Sequence, residues 1–179
     1  FARAMKFVAP IRRFIGFPTV FNLLGPIVNP SQPKCQLLGV ANLDQMRLYN
    51  NVYRKIGIDY AIENSIEGYD EISLTGNFKI TTNDYERIFS PADIGMQQTR
   101  ASELMGGETK EDAMRIFDSV LANTATESQK NVVITNAAFA IQVMERGKKS
   151  IDECIAIARE SLESGRAEET LKKFIEINS

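Results

Sequence analysis

The sequence predicts an α/β fold: a mainly parallel sheet flanked by helices, with a C-terminal third that is helical. Three observations predict it. A strand, a helix and a strand follow one another between residues 35 and 62. Short apolar runs between turn formers follow to residue 89, and apolar residues at helical spacing dominate from residue 109 onward.

In chain order, residues 4–15 read as a helix, with Val8, Ile11 and Ile15 at spacings of three and four and Pro10 interrupting the pattern. Gly16 and Pro18 end it. Residues 19–34 carry Gly25-Pro26, Asn29-Pro30 and Pro33, too many breakers for a long regular element, so a shaped, rigid loop is expected. Residues 35–40 read as a short buried strand. Leu43, Met46, Tyr49, Val52, Tyr53 and Ile56 mark one face of a helix that Gly57 closes. Tyr60-Ala61-Ile62 is a second strand, and the βαβ unit so formed implies a parallel pair.

Residues 70–76, 78–81 and 85–89 read as short strands and turns. Ser90-Pro91 then opens a helix that Gly95 keeps short. Farther on, Ala113, Ile116, Phe117, Val120 and Leu121 form one stripe. Val132–Met144 is apolar nearly all round and predicts a helix buried on every side. Ser150 and Glu153 form a capping-box pattern opening a helix with Ile151, Cys154, Ile155, Ala158 and Leu162 inward. After Gly165 a last amphipathic helix carries Leu171, Phe174 and Ile175. No repeat or long linker separates these elements, so residues 1–179 are expected to form a single lobe.

Composition narrows the function. Hydrophobic residues make up 44% of the 179, enough for a sizeable core. A net charge of -2 provides no electrostatic footprint for nucleic acid or an anionic membrane. No run approaches the ~20 apolar residues of a membrane span, and no secretory or transit pattern opens the chain. Histidine is absent, which excludes a Ser-His-Asp triad, a Cys-His pair and a His-ligated zinc site. Any chemistry must come from carboxylates, Arg, Lys, backbone amides and a hard metal ion. Cys35 and Cys154 read as buried thiols, in keeping with a cytoplasmic protein.

Three features could carry that chemistry. Asp70-Glu71 follows Gly68-Tyr69; adjacent carboxylates repel unless they are solvated or share a cation such as Mg²⁺. Adjacent side chains on a strand point to opposite faces, so a shared site requires a turn or strand end. Arg12, beside Arg13, has the guanidinium fork that grips a carboxylate in two places. The segment Phe21–Pro30, with Gly25 and Pro26 at its centre, can bring backbone close to a flat ligand. Each also has an ordinary reading: a solvated loop, a solvated arginine, a tight connector.

In combination these segments are far more specific. Ala4-Met5-Lys6, Val8 to Arg13, Phe21-Asn22-Leu23-Leu24-Gly25-Pro26, Asn29-Pro30, Leu38-Gly39-Val40 and Gly68 to Ser73 occur in order. Gly106-Gly107, Asn136-Ala137-Ala138 and Ser164 to Ala167 follow. From Phe1 to about Phe174 the chain resembles the anthranilate phosphoribosyltransferases. The resemblance implies transfer of the phosphoribosyl group from phosphoribosyl pyrophosphate (PRPP) to anthranilate in tryptophan biosynthesis, with Mg²⁺ as cofactor. It assigns Arg12 to the anthranilate carboxylate, Gly25 and Pro26 to the loop lining anthranilate, and Asp70 and Glu71 to the metal; no residue acts as nucleophile. It also implies a homodimer for the full-length family. Ala2 stands where family members commonly carry a histidine. The family's N-terminal helical domain and Gly-Thr-Gly-Gly-Asp donor loop have no counterpart here, so the chain reads as a partial, inactive portion. A non-catalytic lobe and a pyrimidine nucleoside phosphorylase are the competing readings.

Overall fold

The computed structural model describes residues 7, 9–11, 14, 15 and 19–179. The chain divides into two compact units, Phe1–Lys34 and Cys35–Ser179.

In the first unit, Phe7, Ala9 to Ile11, Phe14 and Ile15 are α-helical, in line with the helix expected over 4–15. Thr19 is extended and opens a five-residue helix, α1 (Val20–Leu24); its N–H is taken up by the Asn22 side chain at 3.0 Å. A 3₁₀ turn over Gly25–Ile27 continues it, and Val28 to Lys34 has no regular structure. The proline and glycine density thus limits the segment to short elements, as the sequence predicts.

The second unit is an α/β fold, again as predicted. Strand β1 (Cys35–Gly39), helix α2 (Leu43–Ile56) and strand β2 (Asp59–Ser65) form the βαβ unit, and β1 pairs parallel with β2. Asn42 caps α2 by accepting from Gln45 N–H at 3.0 Å. Gly57 closes it in the left-handed region at φ +79°, donating to Tyr53 O. Strands β3 (Phe78–Thr82) and β4 (Glu86–Phe89) complete a sheet of order β1-β2-β3-β4 among the described residues.

One expectation needs correction. The sheet is mixed rather than mainly parallel, because β2–β3 and β3–β4 both pair antiparallel. Connection length explains it. A parallel neighbour requires a crossover of a dozen or more residues, usually through a helix. Here β3 and β4 are joined by three residues, and β2 reaches β3 through a loop without a helix.

Alternation along β2 directs the two faces. Tyr60 points toward α2, its ring 5.3 Å from that of Tyr53, while Thr81 on β3 meets Met46 at 3.2 Å. Ala61 faces the other way, with Phe78 and Ile80, into the main core. That core is closed by helix α4 (Glu127–Met144), which contributes Ile134, Ala138, Phe139 and Val143. Helix α5 (Ile151–Glu163) adds Cys154, Ala158 and Leu162 from the capping box at Ser150. Helices α3 (Lys110–Leu121) and α6 (Arg166–Asn178) complete the helical C-terminal third.

Burial differs from expectation in three places. Helix α4 is not enclosed all round, since Val133 and Met144 are exposed. Cys35 is only half-buried, because β1 is an edge strand. Phe174 and Ile175, expected on the inner face of α6, are exposed as well. In each case periodicity identifies an apolar face but not the element that covers it.

Phe139 is the centre of the core, fully buried with its ring edge-on to Phe78 and Phe89 at 6.0 and 5.9 Å between centroids. Phe139→Ala is expected to cost about 3–5 kcal/mol in urea unfolding. A loss below ~1 kcal/mol would show that this ring cluster is not the core.

Candidate functional site

Strands β1 and β2 end side by side, and the loop that follows β2 folds back over them. Gly39 makes this possible. A Cβ on Gly39 would lie 1.6 Å from the carbonyl oxygen of Asp70, so only a residue without a side chain admits the loop. Gly68 turns the chain at φ +103°, and its N–H donates to Ser65 O at 2.8 Å. That is the turn the sequence requires if Asp70 and Glu71 are to share a site.

Side chains then pin the loop almost residue by residue. Asn64 Nδ2 donates to Val40 O at 2.7 Å and to Tyr69 O at 3.3 Å, tying the loop to the end of β1. Ser65 Oγ donates to Glu71 O at 2.6 Å. From α4, Asn136 accepts from Ile72 N–H at 3.0 Å and donates to Ile72 O at 2.9 Å. Ile72 and Leu74 are sunk in the core below. Leu74 takes φ +58°, a costly conformation for a side-chain-bearing residue, and its carbonyl accepts from Thr99 N–H at 2.9 Å. The outcome is a loop with a buried underside and an exposed rim, where Asp70 and Glu71 stand.

Four acids lie in this stretch, in three different environments. Glu67 is engaged by the Thr75 hydroxyl. Asp70 and Glu71 are exposed. Glu63 is 4% exposed, and its Oε2 has no hydrogen-bond partner among the described residues. Burial, then the charges of Glu71 and Asp70, push the Glu63 carboxyl up to about 8. Its proximity to the pair is therefore electrostatic as well as topological.

The fit to a hard cation follows from these facts. Among the described residues no three His, Cys, Asp or Glu side chains converge on a common metal position. Asp70 and Glu71 offer two carboxylates at an open rim, and the remaining ligands would be water or phosphate oxygens. This is the usual way in which Mg²⁺ is held, through one or two carboxylates plus a substrate's phosphates.

The other expected site residues lie in the first unit. Gly25 is exposed with an ordinary helical backbone (φ −47°, ψ −53°), and a Cβ there would meet nothing within 4 Å. Neither backbone conformation nor internal crowding among the described residues calls for glycine at this position. Pro26 is half-buried in the 3₁₀ turn. Arg12 lies outside the described residues. Asp70 with Glu71, and Gly25 with Pro26, thus form two local groups, each within its own unit.

Sequence reasoning assigns no role to Glu63, Asn64, Ser65 or Asn136. Glu63 leaves one signal: an acid two positions after Ala61, on the core-facing side of a buried strand. Asn136 leaves another, an amide within the mostly apolar stretch Val132–Met144.

Comparison with known proteins places the chain among relatives. The profile of the glycosyl transferase family, a/b domain, matches residues 1–168. Over 179 residues the chain is 57% identical to the anthranilate phosphoribosyltransferase of Phocaeicola vulgatus, covering 100% of this chain and 54% of that protein. The Bacteroides fragilis enzyme of the same name is 57% identical over 178 residues, 99% of this chain and 54% of its own length. The chain therefore spans about half the length of the curated relatives it matches. Among solved structures, the Thermus thermophilus anthranilate phosphoribosyltransferase superposes with a TM-score of 0.87 at 28% identity, covering 96% of this chain and 51% of that one. The Saccharomyces cerevisiae enzyme in complex with PRPP and Mg gives 0.82 at 27% identity, over 96% of this chain and 49% of that one.

The raised Glu63 carboxyl has a consequence for stability. An acid whose folded-state value lies above its unfolded value binds extra protons when folded, so stability falls as pH rises between about 4.5 and about 8. Glu63→Gln removes that slope. It is expected to raise the melting temperature more at pH 8 than at pH 5, measured by circular dichroism. An equal shift at both pH values would contradict the burial of an unpartnered carboxyl.

Proposed function

Because the chain belongs to the glycosyl transferase family, whose a/b domain it carries, we propose that it is the acceptor- and cation-binding part of an anthranilate phosphoribosyltransferase. The observation that carries this reading is the rim of the loop after β2. Its backbone is tied down by Asn64, Ser65 and Asn136, while Asp70 and Glu71 are left exposed side by side.

The reaction joins the anthranilate amine to the anomeric carbon of PRPP as the bond from that carbon to pyrophosphate breaks, and the amine gives up a proton. Asp70 and Glu71 would hold Mg²⁺ against the pyrophosphate. When bound, the ion supplies positive charge where negative charge builds on the leaving group. No nucleophilic side chain is required, which suits a chain without histidine. The solved yeast relative in complex with PRPP and Mg supports the donor and the ion. Another structure of that enzyme, with 4-fluoroanthranilate, supports the acceptor.

The chain's own residues would orient the acceptor. Arg12 would grip the anthranilate carboxylate with its planar fork and so turn the amine toward the anomeric carbon. Gly25 and Pro26 would lie against the ring. The open space over Gly25, which packing among the described residues does not explain, supports a role in leaving room for a flat ligand. Since the chain spans about half of its relatives, the complete activity is proposed for a longer protein in which another portion grips most of the donor.

Steady-state kinetics on the longer protein test the reading. Arg12→Ala is expected to raise KM for anthranilate roughly tenfold, about 1.4 kcal/mol. Asp70→Asn with Glu71→Gln is expected to remove activity at limiting Mg²⁺. An unchanged KM in the first, or undiminished turnover in the second, would overturn the corresponding role.

A further inference from the structure

Beneath the rim, three buried hydroxyls lie in a row between two acceptors. Ser65, Ser73 and Thr75 are all at least nine-tenths buried. At one end Ser65 Oγ donates to the carbonyl of Glu71 at 2.6 Å, and at the other Thr75 donates to the Glu67 carboxylate. Between them, Ser73 Oγ lies 2.7 Å from Thr75 Oγ1 and 3.1 Å from Ser65 Oγ. Gly76 leaves the space that Glu67 uses, since a Cβ there would lie 2.7 Å from Glu67 Oε1.

Counting protons shows that one link must go without a hydroxyl proton. Four contacts join two acceptors through three hydroxyls, and three hydroxyls hold three protons. The Ser65 and Thr75 protons are committed at the two ends. The Ser73 proton is assigned to Thr75 Oγ1, the shorter of its two contacts. The longer one, Ser65–Ser73, has no hydroxyl proton to share. There the backbone substitutes: Ser73 N–H donates to Ser65 Oγ at 3.1 Å, and Thr75 N–H donates to Ser73 Oγ at 3.3 Å. Each of the three hydroxyls thus donates once and accepts once.

We propose that Ser65, Ser73 and Thr75, anchored on Glu67, are positioning residues: they fix the Glu71 carbonyl and thereby the direction in which the Asp70 and Glu71 carboxylates face a cation. The inference rests on the reading of Asp70 and Glu71 as cation carboxylates. It assigns Glu67 to the support and not to the ion, although it lies only three residues before Asp70. Hydrogen-bonded partners behind metal-binding carboxylates tune affinity without touching the metal.

Titration of the chain with Mn²⁺ alone, followed by electron paramagnetic resonance of the free ion, tests it. Ser65→Ala and Thr75→Val are each expected to raise the Mn²⁺ dissociation constant roughly tenfold. Thr75→Ser, which restores the hydroxyl, should return it to within about twofold of the parent. Asp70→Asn with Glu71→Gln should abolish saturable binding. If Ser65→Ala does not fold, the Thr75 pair decides. Parent-like binding in Thr75→Val while the Asp70/Glu71 variant loses the ion would overturn the positioning role and leave the cation reading standing. So would equal weakening in Thr75→Val and Thr75→Ser, the mark of a merely structural effect. No saturable binding by the parent would overturn both.

Discussion

The carbonyl oxygen of Asp70 rests on the face of Gly39, where a methyl group would sit 1.6 Å away. Everything distinctive about the loop depends on that close approach. It lets twelve residues between β2 and β3 fold down over the strand ends instead of arching into solvent. Ile72 and Leu74 can then reach the core, and Asn136 of α4 can clamp the Ile72 peptide from the opposite side. Any larger residue at position 39 would have to displace backbone, which cannot rotate away as a side chain can.

Once the loop is seated, the four acids differ in burial and in hydrogen-bond partners. Asp70 and Glu71 remain at the rim, where solvent screens their mutual repulsion. Glu67, also exposed, accepts from the Thr75 hydroxyl. Glu63 is the costly one: buried, with one oxygen unpartnered, and raised by its two neighbours. A carboxyl in that position lowers stability at neutral pH. The left-handed Leu74 adds backbone strain to the same loop. Cost and strain thus meet beside the exposed pair, while caps such as Asn42 and Ser150 satisfy helix termini elsewhere.

How much of this was legible in the sequence varied with the range of the interaction responsible. Local chemistry was readable: the extent of α2 and its Gly57 stop, the capping box at Ser150, a short helical element after Ser90 (in the structure a 3₁₀ turn), and the turn at Gly68 before Asp70. Sheet direction was half readable, because the βαβ pattern gives β1–β2 but nothing local distinguishes a returning β3 from a crossing one. Coverage was not readable, which is why Met144 and Phe174 turned out exposed. The supports of the site were not readable either. Ser65, Asn136 and Gly39 act across 6, 64 and 31 positions, on residues to which no periodicity connects them.

On the proposed reading a cation binds at Asp70 and Glu71, and the loop's construction explains why those two acids, out of four, would face it. The most direct measurement is the paramagnetic broadening of backbone amide signals in the ¹⁵N-labelled chain as Mn²⁺ is added. The account predicts loss of signal first at Tyr69 to Ile72 and at Gly39 and Val40, the strand end beneath them. Broadening centred instead on other acidic stretches, such as Asp152-Glu153 or Glu168-Glu169, would contradict it.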